Sequence, residues 1–234
     1  MRLPATIRKT RRARPRVRRS GGRPTLAEAR RREERLLEVA GAMFTERGFD
    51  GTSIDAVAEA AHMSKRTVYA RYKDKDALFS AVLRRLIARW LVPTRNVPAC
   101  PSALEPMLLG FARHFLESAL APQAVAIYRI IIAEAERHPE FGRLAHAEGR
   151  QPAVRAVATA LRRFERRLRL GDLDLAAEQF ISLVVDSRLR AVALGLSDRR
   201  SLEAAARAAV DLFLNGALAG AARGAREEAA AAER

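Results

Sequence analysis

Residues 52–75, TSIDAVAEAAHMSKRTVYARYKDK, constrain the fold of this chain more tightly than any other stretch. Ile54, Val57, Ala58 and Ala61 set apolar or small side chains on one stripe of a short helix. Val68 and Tyr72 continue the stripe on a second helix, with Met63 in the turn between them. Both stripes can be buried together only if the helices meet at a tight turn. Ser64, Lys65, Arg66, Thr67, Tyr69 and Arg71 then fall on or beside the outer faces. A short helix with a basic, hydroxyl-rich outer face is what the major groove of double-stranded DNA accommodates. The segment predicts a helix-turn-helix that binds DNA.

The flanks extend the helical pattern through the chain, and thinly spread strand formers leave no rival fold class. Thr25 and Glu28 have capping-box spacing, which predicts a first helix over Leu26–Arg47 stopped by Gly48. Thr52 or Ser53 caps the second helix, ending near Ala61, and Ser64 caps the third, ending near Tyr72. Asp74 is placed to cap a fourth helix that ends before Pro93. Three prolines within Pro93–Pro101 mark a boundary. Beyond it the period predicts one helix striped by Met107, Leu108, Phe111, Phe115 and Leu116. A second is striped by Val125, Tyr128, Ile131 and Ile132, and a third runs over Pro152–Leu168. Two long helices follow, near Leu175–Leu194 and Leu202–Ala219.

Charge divides the chain unevenly. Residues 1–24 hold nine Arg, one Lys and no acid, so ten of the sixteen net positive charges sit in a Pro- and Gly-containing arm that cannot build a core. That arm is either a strand of phosphate contacts or minor-groove insertion, or an inert extension. The expected organisation is a disordered basic arm at 1–24 and a helix-turn-helix domain at 25–75. A helical ligand-binding and dimerisation domain at 76–222 and a frayed or disordered tail at 223–234 complete it.

From Leu36 to Leu83 the chain resembles the N-terminal domain of TetR-family transcriptional regulators. Phe44, Gly48 and Phe49 match the close of the family's first helix, and Thr52-Ser53 matches its Thr-Thr or Thr-Ser entry. Ser64, Thr67 and Tyr69 match the Ser-x-x-Thr-x-Tyr recognition helix. Tyr72, Lys75 and Leu78 match its Phe-x-x-Lys-x-x-Leu continuation, with Tyr in place of Phe. His62 departs from the pattern, because the family usually places Gly there, at a position that favours positive φ. The resemblance implies that Thr52, Ser53, Lys75 and the hydroxyl of Tyr69 or Tyr72 hold phosphates, setting register without reading sequence. Lys65, Arg66 and Thr67 lie where base edges are reached, and Arg66 is the residue suited to a bidentate contact with guanine.

The stretch from about Ile127 to Leu196 resembles, more loosely, the C-terminal domain of AefR-like members. The resemblance implies an all-α body that binds a small molecule and pairs with its copy through the last two helices. Trp90, Met107, Phe111, Phe115, Tyr128, Ile131, Phe180 and Val184 are candidates to line an apolar pocket, each also suited to plain core packing. A homodimer would place its two recognition helices about one turn of DNA apart, on a pseudo-palindromic operator.

Other chemistry finds little support in the residues. Glu134 and His138 share i, i+4 spacing, but no HExxH or Cys pair joins them, so a surface pair is expected and no metal site. Cys100 is the single cysteine, without a base near it in sequence. There is no phosphate-binding loop and no nucleophile elbow, so an enzyme is not expected and no cofactor is implied. No apolar run approaches the length of a membrane span, and a cytoplasmic location is expected. The expected function is a dimeric repressor released from its operator by a small apolar or amphipathic ligand. The alternatives are a weakly specific architectural DNA binder without an effector, and a ligand-independent activator.

Overall fold

The computed structural model describes residues 25–96, 103–196 and 201–217. The basic arm, the tail beyond 222, Cys100 and most of the proline-rich boundary lie outside them. Within the described residues every regular element is a helix.

Helix α1 (Leu26–Arg47) opens on the expected capping box: the Glu28 amide donates to Thr25 Oγ1, and the Thr25 amide donates to the Glu28 carboxylate. It ends at Gly48, whose φ of 72° lets the chain turn back sharply. Gly51 completes that turn, since a Cβ there would lie 2.3 Å from the Arg47 carbonyl oxygen. Helices α2 (Ile54–Ala60) and α3 (Lys65–Tyr69) follow, capped by Ser53 and Ser64. Helix α3 is shorter than its periodicity suggests, because Ala70 and Arg71 turn away and carry Tyr72 into the core from beyond the helix end.

The turn between α2 and α3 confirms the odd position of His62, which has φ 54° and is the one non-glycine residue with positive φ among the described residues. Its amide bonds to the Glu59 carbonyl, and the Met63 amide reaches back to Ala58, the pairing of a Schellman cap. A left-handed conformation costs an ordinary residue roughly 1–2 kcal/mol, and glycine's extra chain entropy returns roughly 0.5–1. His62→Gly is therefore expected to stabilise the protein by about 0.5–1 kcal/mol, read as a rise in thermal midpoint of about 1–4 °C.

Helix α4 (Lys75–Asn96) is longer than expected, since it runs through Pro93 to Asn96. A proline this near a helix end removes one amide donor without breaking the preceding turns. Helices α5 (Leu104–Ala119), α6 (Pro122–Ala133), α7 (Pro139–Leu144), α8 (Gln151–Arg162), α9 (Leu173–Ile181), α10 (Ser187–Ala193) and α11 (Leu202–Ala217) form the rest. Two π-helical turns interrupt this half, Ala145–Arg150 between α7 and α8 and Ser182–Asp186 between α9 and α10. Helix α8 ends six residues before the predicted Leu168, giving way to a 3-10 turn at Glu165–Arg167. On α6 the buried stripe is Ala124, Val125, Ile127 and Ile130, while Ile132, expected inside, is 58% exposed.

Two cores result. One joins α5, α8, α9 and α11 through Leu108, Phe111, Leu116, Leu161, Phe180 and Val210. The other gathers α1 to α4, and residues beyond α4 complete it: Ile127 and Ile130 of α6 and Phe141 of α7. Phe44, Phe49, Phe79 and Phe141 interlock there with ring centroids 4.5–6.0 Å apart. The expected division at residue 75 thus passes through continuous packing. The last helices leave Leu183, Leu194, Leu196, Leu202 and Leu212 exposed. No single helix among the described residues is long and apolar enough to cross a membrane.

Candidate nucleic-acid interface and effector cavity

Val57, Ala58 and Val68 are fully buried, which anchors α2 and α3 on α1 and α4 and turns the opposite face of α3 outward. Ser64, Lys65, Arg66, Thr67, Tyr69 and Arg71 are all exposed. Their side chains differ in freedom. Lys65 is held by Asp55 across the turn, which raises the lysine's pKa and locks α3 to α2. Ser64 and Thr67 share a hydrogen bond of 2.6 Å, and Ser64 also accepts from the Thr67 amide. Arg71 pairs with Glu33 of α1 at 3.3 Å. Arg66 alone of these cations has no charged or hydrogen-bonded partner among the described residues, so its fork of donors is unspent.

Three residues expected at phosphates have partners within the protein. Thr52 is 2% exposed, and its hydroxyl lies 2.8 Å from the Gly48 carbonyl and 3.2 Å from that of Met43, tying down the end of α1. Tyr72 is buried and donates its hydroxyl to Glu33 at 3.1 Å. Burial, with the Glu33 carboxylate beside it, pushes that phenol's pKa up to about 12. Lys75 donates to the Phe49 carbonyl at 2.9 Å and sits 4.3 Å over the Phe49 ring, bracing the turn after α1. Of the two tyrosines, only Tyr69 is open to solvent, being exposed where Tyr72 is buried. Because folded Tyr72 keeps its proton when the unfolded chain loses it, its contribution is full below pH 10 and fades as pH rises towards 12. Tyr72→Phe should show a smaller loss of stability over that window in denaturant titrations than the parent.

Two residues that the sequence did not single out join this surface. Arg32 and Arg35 of α1 open onto one cleft with His62, Met63, Ser64 and Thr67. Their i, i+3 spacing on an otherwise polar face was the available signal, but it does not separate a working face from a solvated one.

The second half holds a cavity of about 230 Å³ between α4, α5, α6, α9 and the first π-helical turn. Trp90, Phe115, Tyr128 and Ile131 line it as expected. Met107, Phe111, Phe180 and Val184 do not, since all four are buried in the neighbouring core. Position on a stripe distinguishes inside from outside, whereas facing a void rather than another side chain depends on how helices from distant parts of the chain meet. The polar groups of the wall, His114, Ser118 and Arg150, were missed for the same reason. His114 Nε2 lies 2.7 Å from the Trp90 carbonyl.

Glu134 and His138 also differ from expectation. Helix α6 ends at Ala133, so the two do not share a helix face. Glu134 is buried and pairs with Arg137, which also bonds Asp50 and holds that carboxyl's pKa below its ordinary value. His138 turns Nδ1 towards Asp76 at 3.2 Å and Glu140 at 3.4 Å, with its ring stacked on Phe141. These pairs fasten α6 and α7 to the turn after α1 and to the start of α4.

Known proteins share both halves. Residues 36–82 match the profile of bacterial regulatory proteins of the tetR family, and residues 106–216 match that of the AefR-like transcriptional repressor C-terminal domain. The transcriptional regulator RutR of Escherichia coli is 33% identical over 79 residues, which is 34% of this chain and only 36% of RutR. The transcriptional repressor Rv1474c of Mycobacterium tuberculosis is 28% identical over 74% of this chain and 87% of its own length. Among solved structures, the flavonoid-responsive regulator FrrA is 33% identical, with 82% of this chain and 99% of FrrA covered at a TM-score of 0.66. A TetR-family regulator from Mesorhizobium loti is 27% identical, with 81% and 98% covered at a TM-score of 0.72. With matching profiles in both halves and full-length similarity to solved members, the chain belongs to the TetR family of bacterial transcriptional regulators, with a C-terminal domain of the AefR-like type.

Proposed function

We propose that this protein is a dimeric, sequence-specific repressor that leaves its operator when a small aromatic molecule enters the cavity. The observation that carries the DNA reading is the exposed face of α3, where Arg66, unpartnered among the described residues, stands beside Lys65 and Thr67 on a fully packed scaffold. Ser53, Ser64, Tyr69 and Arg71 flank that face, with Arg32 and Arg35 of α1 added from the structure. The exposed leucines of α11, of the turn after α10 and of the π-helical turn before it suit pairing with a second copy, which would present two such faces to a pseudo-palindrome. The cavity's aromatic wall and modest volume suit a flat ring system, and the flavonoid response named for FrrA supports that class. Entry of a ligand would favour one spacing of the two reading heads over the other.

Sequencing of genomic fragments bound by the purified full-length protein at physiological salt tests the first part. The expected outcome is a pseudo-palindrome with half-sites about one helical turn apart, preferred over random DNA by about 10³ or more. Equal affinity for random DNA would place the protein among architectural binders instead. Trp90 is the only tryptophan, so a flavone that enters the cavity should quench the protein's fluorescence saturably and release the enriched DNA.

A further inference from the structure

We propose that the effector carries an acidic oxygen, and that Arg150 reads it at the cavity mouth in exchange for Asp186; this rests on the reading of the cavity as the effector site. Among the described residues Arg150 is the one wall residue with a permanent charge, and apart from His114, Ser118 and the Tyr128 hydroxyl the rest of the lining is apolar or aromatic. Its guanidinium is already occupied: Nη2 lies 2.6 Å from Ser182 Oγ, and Nη1 and Nη2 lie 3.1 and 3.3 Å from the two oxygens of Asp186. Nε lies 3.8 Å from Glu178.

The exposures decide which of these contacts can be exchanged. The Arg150 side chain is 26% exposed while those of Asp186 and Glu178 are each 51% exposed, so the cation stands at the boundary and its acidic partners stand in water. Ion pairs with a solvated partner contribute little, and a released Asp186 recovers its hydration. An acid carried by a ligand whose body fills the apolar interior meets the same fork from the drier side, where a charge-assisted, bidentate bond is stronger. The wall behind it offers Trp90, Phe115 and Tyr128 to the aromatic body.

The placement of the exchanged partners also connects binding to the DNA-reading half. Arg150 closes one π-helical turn, and Ser182 and Asp186 begin and end the other. Such turns are frequent at functional positions. The first turn packs on α4, where a Cβ on Gly149 would lie 3.7 Å from Ile87. Replacing Asp186 by a ligand oxygen therefore unfastens a turn that leans on the helix leading to α3.

Calorimetric titration of the full-length protein with biphenyl-4-carboxylate and with its neutral isostere, biphenyl-4-carboxamide, tests the proposal. The carboxylate should bind at least about tenfold more tightly than the amide, as a charged hydrogen bond implies. Arg150→Met, which keeps the apolar stem, should erase that preference, bringing the carboxylate down to the affinity of the amide. Asp186→Asn should tighten the carboxylate severalfold and leave the amide unchanged, and it decides the matter alone if Arg150→Met does not fold. Equal binding of both compounds to the parent, or a preference that survives Arg150→Met, overturns the role of Arg150 while the cavity reading stands. Unchanged carboxylate affinity in Asp186→Asn overturns the exchange. Binding of neither compound overturns this proposal together with the aromatic-effector reading beneath it.

Discussion

Phe79→Ala is expected to lower the stability of the whole protein by about 3–5 kcal/mol, the cost of removing a fully buried aromatic ring and leaving a cavity. Phe79 has no exposed surface and meets Phe44, Phe49 and Phe141 within 5.5 Å. Those rings come from α1, the turn after it, α4 and α7, so the void would open where the two halves join. One cooperative transition, shifted to lower denaturant for probes in both halves, is the expected record. Two separate transitions in the parent protein would show that the halves fold apart and that the shared packing contributes little. A total stability of 5–15 kcal/mol is typical, so this single substitution removes a large fraction of it.

Arg66→Ala is expected to leave stability unchanged and to abolish selective DNA binding. The side chain is exposed and unpartnered among the described residues, so truncation disturbs no packing. Its loss should cost about 1–3 kcal/mol for the correct base pair, or roughly tenfold to a hundredfold in affinity per half-site. Binding to random DNA should change far less, because phosphate contacts supply it. Competition assays with the enriched operator measure both quantities together. Retained preference in both Arg66→Ala and Thr67→Ala would move the reading function elsewhere, with Arg32 and Arg35 the next residues to test.

These two residues mark opposite ends of what the sequence makes legible. Arg66 belongs to a local pattern. Its exposure follows from the apolar period of residues within one turn of it, and α1 to α3 follow from caps and glycines that act over three or four positions. Gly48, the Thr25 and Glu28 box, Ser53, Ser64 and the positive φ of His62 are of this kind. Phe79 looks like any stripe residue in sequence, and nothing local says that Phe141, 62 positions later, completes its surroundings.

The same distinction separates the candidate residues that stand exposed from those drawn into the packing. Ser64, Lys65, Arg66, Thr67, Tyr69 and Arg71 stand exposed because the cap, the helix phase and the short turn after α3 place them outward. Thr52, Tyr72 and Lys75 are equally polar and equally near, yet they are drawn inward by Gly48 and Met43, Glu33, and Phe49 respectively, whereas Lys65 and Arg71 stay exposed while pairing with Asp55 and Glu33. In the cavity, four of the eight expected residues face the void and four face one another's neighbours. The sequence by itself determined the all-helical architecture, the caps that start α1 to α3 and the outward basic face of α3, because those depend on interactions along a few residues of backbone. Only the tertiary structure decided which polar groups are free, which stripes enclose a void, and that Arg150 guards it, because those outcomes depend on contacts between residues far apart in the chain.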